Sequence, residues 1–100
     1  MPSVSRVNAL SLDSTVLASP QQVSCSVAGE AVVLSMRDGE YYGLNEVGSS
    51  IWQLIQQPRT LREVRDSLLE EYLGIDPHEC EHAVLAFVTE LLSLSLAELT

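Results

Sequence analysis

The sequence predicts an α+β domain: a three-stranded antiparallel meander followed by three helices. Three observations carry this prediction. Val23, Cys25 and Val27 alternate with Ser24 and Ser26, at the two-residue period of a strand. Asp38-Gly39 is a hairpin signal, because both residues tolerate positive φ. Residues 45–100 then carry three apolar stripes at helical spacing, each opening on a capping residue.

Residues 1–22 are rich in Ser, contain Pro20 and show no firm period; they read as an N-terminal arm holding at most one weak strand. The domain itself is read as 23–97. Ala28-Gly29 is the expected turn after the first strand, and Ala31 to Met36 forms the second. Glu40 to Leu44 returns as the third. A two-residue turn at Asp38-Gly39 sets Met36 opposite Tyr41 and Ser35 opposite Tyr42. The face made by Val23, Cys25, Val32, Leu34, Met36 and Tyr41 is then the expected core face. The other carries Ser24, Ser26 and Ser35, but also Val33 and Leu44.

The first helix opens on Asn45, with Val47, Ile51, Leu54 and Ile55 on one stripe and Trp52 beside it; Pro58 stops it. The second opens on Thr60, with Glu63 completing a capping box. Its inner face is Leu61, Val64, Leu68 and Tyr72, and Gly74 closes it. The third opens on Asp76 with Pro77 in the first turn, and Cys80, Val84, Phe87, Val88 and Leu91 share a side. These are the parts of a winged helix-turn-helix in a rearranged order.

One hundred residues with 46% hydrophobic content suit a single domain with one modest core and argue against disorder. The charge is lopsided: 14 acids, five Arg and no Lys give a net charge of −9. From Asp66 to Thr100 there are eight acids and no Arg. Such a chain lacks the clustered cations that hold phosphate, and the third helix would set acid against a DNA backbone. It is equally unsuited to an anionic membrane. No stretch reaches the ~18–20 apolar residues of a membrane span. Arg6 and Asp13 make a poor signal peptide of the N-terminus. Two cysteines do not make a disulfide framework, so a cytoplasmic location is expected.

His78-Glu79-Cys80-Glu81-His82 matches the H-E-x-x-H pattern of zinc hydrolases. A catalytic zinc needs a third ligand, and these are the only two histidines. The pair also falls opposite the apolar stripe, which favours a solvated polar face and no metal site. Cys80 sits two residues from each His, on a different side of the helix, and reads as a small core residue; Cys25 reads the same way. No catalytic set or cofactor motif stands out. In a meander the third strand is an edge, able to accept an added peptide strand, and Tyr41 and Tyr42 point to opposite faces of it.

Gly29 to Leu34, then Asp38-Gly39-Glu40-Tyr41-Tyr42-Gly43-Leu44-Asn45-Glu46-Val47-Gly48, then Ile51-Trp52, resemble the core signature of the PqqD-like proteins. Pro58-Arg59-Thr60, Leu68 to Tyr72 and Asp76-Pro77 through Phe87 continue the match in order, so that it covers about residues 16–96. The resemblance implies a non-enzymatic precursor-peptide recognition element, most similar to the free-standing ones of lasso-peptide pathways. Such proteins bind a leader peptide as an added strand between the third strand and third helix. They work with a cysteine leader peptidase, and a cyclase acts afterwards. Carried onto this chain, the resemblance assigns strand pairing to Glu40, Tyr41, Tyr42, Gly43 and Leu44. It assigns pockets for a leader Tyr and Pro to Met36, Val84, Phe87, Val88 and Leu91. Two departures are visible: Ala83 stands where many relatives carry Asp against the leader, and Ser95-Leu96 stands where Gly-Leu is usual.

Overall fold

The computed structural model describes residues 10–100; the first nine residues of the expected arm lie outside the described residues. In chain order the elements are β1 (Thr15–Ala18), β2 (Gln22–Val27), β3 (Glu30–Ser35), β4 (Tyr41–Gly43), α1 (Glu46–Leu54), β5 (Arg59–Thr60), α2 (Leu61–Glu71), α3 (Pro77–Ser93) and β6 (Ala97–Leu99). The strands form two antiparallel sheets, β2-β3-β4 and β5-β1-β6. This is the expected α+β fold, a meander followed by three helices, with a second small sheet added. The likeness to a winged helix-turn-helix goes no further than a small sheet beside three helices.

The helix termini follow their local chemistry. The Asn45 side chain accepts from Gly48 N at 2.8 Å, the Thr60–Glu63 capping box is complete, and Asp76 accepts from Glu79 N at 3.0 Å. At the end of α3, Ser95 takes a left-handed φ of 60°. Leu96 N donates to Leu91 O at 2.9 Å and Ser95 N to Leu92 O at 3.1 Å, a Schellman cap built on Ser where Gly is usual. The cap buries Leu96 over Leu91.

Three expectations need correction. The arm is structural, for β1 lies between β5 and β6, and Val16 is fully buried. Ala18 N donates to Ile55 O, and Leu61 and Arg62 donate to Ser14 O and Leu12 O, so the segment is sewn to the helices. Four residues with Leu17 on the outward side give too short an alternation to be read locally.

The β3–β4 turn is also longer than expected. Leu34 pairs with Tyr41 and Val33 with Tyr42, leaving Met36–Gly39 as a four-residue loop. Ser35 Oγ caps it by accepting from Arg37 N and Asp38 N. A shift of two residues leaves the division of side chains between faces unchanged.

Which face is buried, however, is the reverse of the expectation. Ala31, Val33, Ser35 and Leu44 are buried, while Val23 and Met36 are 57% and 62% exposed and Cys25 is exposed. Ser35 misled because its hydroxyl is satisfied by Arg37 N and Asp38 N although the residue is buried, whereas Ser24 and Ser26 stay exposed. Ser49 Oγ accepts from Ala31 N at 2.8 Å and donates to Leu44 O at 3.2 Å; Ser24 Oγ accepts from Trp52 Nε1 at 3.2 Å. The buried face of β3 thus packs on α1, with Ile51 and Trp52 from that helix and Ile55 at its C-cap, while Val64, Leu68, Val84 and Val88 join α2 to α3.

Candidate functional site

β4 is one edge strand of its sheet, and β2 is the other. Ser35 N donates to Glu40 O and Leu44 N to Ala31 O, both at 2.9 Å, and Val33 pairs with Tyr42 between them. Glu40 O, Leu44 N and the backbone groups of Tyr42 therefore face β3, while the Glu40 N–H is taken by Asp38 Oδ1 and the Leu44 carbonyl by Ser49 Oγ. By antiparallel alternation, the N–H and C=O groups of Tyr41 and Gly43 point to the open edge. That edge offers a short ladder of two residues for another strand.

Beside the edge runs a groove whose far wall is α3. A cavity of about 390 Å³ lies between Tyr41, Tyr42, Gly43 and Leu44 on the strand side and Phe87, Glu90, Leu91 and Leu94 on the helix side. A second cavity, of about 410 Å³, opens between α1, α2 and α3, with Val47, Ile51, Leu68, Tyr72, Ile75 and Ala83 among its lining residues. Asn45 and Phe87 border both. Phe87 is thus the partition between two hollows of one groove. Its ring can lie there because residue 48 is Gly: a Cβ at Gly48 would meet Phe87 Cζ at 3.0 Å.

The strand's entry is stiffened by a small polar cluster. Asp38 Oδ1 accepts from Glu40 N at 2.9 Å, and its other oxygen lies 3.4 Å from the Tyr42 hydroxyl. The Glu40 N–H, aided by Ser35 and Tyr42, holds the Asp38 carboxyl below its ordinary pKa, against the opposing effect of desolvation. Desolvation first, then the Asp38 charge, pushes the Tyr42 phenol above its own.

The residues singled out from sequence separate into groups. Tyr41, Tyr42, Gly43, Leu44, Phe87 and Leu91 come together around the first hollow. Ala83 lines the second. Glu40 is exposed at the head of β4 and borders neither hollow. Val84 and Val88 are fully buried and present no surface to a ligand, so they support the wall from beneath; Met36 stands exposed on the β3–β4 loop, bordering neither hollow. Sequence reasoning missed Glu90 and Leu94. The signal was present: residues 87, 90, 91 and 94 follow helical spacing, on a stripe rotated slightly from the buried one at 80, 84, 88 and 91.

His78 and His82 are both exposed. Among the described residues, no group of three His, Cys, Asp or Glu side chains gathers in a way that could hold a metal. Cys80 is buried, and desolvation raises its thiol above the ordinary pKa, opposite to the shift that activates a nucleophile. Among the described residues, no helix is long and apolar enough to cross a membrane.

The family described as Coenzyme PQQ synthesis protein D (PqqD) matches residues 30–97, which spans both β4 and α3. Two solved structures are similar. TbiB1 in complex with the TbiA(beta) leader peptide is 32% identical with a TM-score of 0.76, over 82% of this chain and 94% of that one. Lasso peptide synthetase B1 complexed with the leader peptide is 25% identical with a TM-score of 0.73, over 83% of this chain and 96% of that one. No curated protein matches the chain.

Proposed function

Because the chain belongs to the PqqD family, we propose that it is a non-catalytic adaptor for the leader of a ribosomally made precursor peptide of the lasso type. The observation that carries this reading is the unpaired edge of β4 lying beside a groove walled by Phe87, Leu91 and Leu94. A leader laid along Tyr41 and Gly43 gains backbone hydrogen bonds, which give affinity without regard to sequence. Its alternate side chains drop towards the helix wall, one into each hollow on either side of Phe87, and supply the selectivity. Both similar structures are complexes with leader peptides, which supports the same class of ligand here. The adaptor then hands the ordered leader to a cysteine leader peptidase, with a cyclase acting afterwards.

The test is a titration of fluorescein-labelled leaders, synthesised from any short precursor peptides found encoded near the gene, read by anisotropy. Saturable binding that collapses when alternate leader amides are N-methylated supports strand addition. Absence of saturable binding overturns the proposal.

A further inference from the structure

The acid bordering this groove is left without counter-charge. Glu90 lines the first hollow and Glu79 the second. Neither carboxylate has an ion-pair partner within 4 Å among the described residues. The arginines of the described residues are committed elsewhere. Arg62 pairs with Asp13, Arg65 with Asp66 and Glu81, Arg59 donates to Leu54 O, and Arg37 donates to Ser95 Oγ at the end of α3. Across the groove β4 presents Tyr41 and Tyr42, with Asp38 and Glu40 at its head. The groove is thus apolar along its floor and acidic on its borders, with no cation lining either hollow.

We propose that the groove selects a cationic strand. The peptide that adds to β4 carries a Lys or Arg whose head meets Glu90, next to the apolar side chain that fills the first hollow. A second basic residue lies towards Glu79. These two acids are eleven residues apart on one helix, about 16 Å at 1.5 Å per residue, or about five residues of extended chain. The ligand is therefore a short segment with basic residues about five positions apart and apolar residues between them. The lower salt sensitivity of apolar contact and the higher sensitivity of such pairs make the two contributions separable. This inference rests on the strand-addition reading above.

The probe is a displayed library of random peptides of about twelve residues, selected on the full-length protein and in parallel on Glu90→Lys. Selected sequences rich in Lys or Arg on the wild type, with that preference lost or reversed on Glu90→Lys, support the proposal. One selected peptide and its Lys→Gln form are then titrated against wild type and Glu90→Gln at low and high salt. The expected loss is about two- to fivefold for either neutralisation, with no further loss when both are combined and little difference at high salt. Selection of neutral peptides with unchanged affinity for Glu90→Lys overturns the charge inference and leaves strand addition standing. Selection of nothing overturns both.

Discussion

The ring of Phe87 rests on Gly48, and a Cβ built on that glycine would lie 3.0 Å from Phe87 Cζ and 3.1 Å from Cε1. The glycine stands in α1, where Ala would favour the helix by roughly 0.5–1 kcal/mol. The clash works in the opposite sense and also crowds Asn45 Oδ1 at 3.2 Å. Because Phe87 is half-buried on the groove, it can yield by moving into the hollows. Gly48→Ala should therefore change stability by less than ~1 kcal/mol yet weaken peptide binding clearly. Phe87→Ala should weaken it more, on the order of 2 kcal/mol for a packed interface aromatic. Thermal melts paired with anisotropy titrations check both. A Gly48→Ala protein that binds as tightly as wild type removes Phe87 from the partition role.

The reversed sheet face has a direct test. Val33 is fully buried and Val23 is 57% exposed, although both lie in the same sheet. Val33→Ala deletes two buried methyl groups and should cost about 2–3 kcal/mol. Val23→Ala should stay within roughly 0.5 kcal/mol. Urea denaturation of the two variants measures the contrast, and equal losses would contradict the burial.

Ala28 and Gly29 form the two-residue β2–β3 turn, both at positive φ, 54° and 85°. A Cβ-bearing residue in this region costs roughly 1 kcal/mol, and Asn tolerates it best. Ala28→Asn should raise stability by up to about 1 kcal/mol, seen as a higher melting temperature. A lower one would exclude strain at this turn.

Asp38 should make stability depend on acid. Its folded-state pKa is depressed, chiefly by the Glu40 N–H. A depressed carboxylate contributes stability that is present above its unfolded pKa and is lost as pH falls through the folded one. The gap in melting temperature between wild type and Asp38→Asn should therefore narrow as pH falls from about 5 to about 2. A gap that stays constant would show that the carboxylate charge contributes nothing there.

The thiols should behave as opposites. Cys25 is exposed and Cys80 buried, with burial raising the Cys80 pKa and keeping its thiol neutral. A thiol reagent at neutral pH should label Cys25 rapidly and Cys80 only after unfolding. Mass spectrometry of the native protein should find one adduct, on Cys25; rapid labelling of Cys80 would mean that α3 is not packed as described.

Much of the molecule could be read along the chain. Asn45, Thr60 with Glu63, and Asp76 with Pro77 mark helix starts because capping is chemistry between residues three apart. The β4 edge and its tyrosines were legible because a meander leaves its last strand paired on one side only. The tertiary structure decided what depends on distant partners. It packed α1 on the face of β3 that carries Ala31, Val33 and Ser35, where Ser49 Oγ bonds Ala31 N eighteen residues away, and so it exposed the strand face whose alternation looked like a core. It enlisted β1, whose four residues gain a partner only from β5 and β6, far along the chain. It also sank Val84 and Val88 and left Phe87, Glu90 and Leu94 on the groove, a rotation of α3 set by how that helix packs on α2 and β6. Periodicity finds an apolar stripe, but only the packed neighbours determine which of its edges stays open to a ligand.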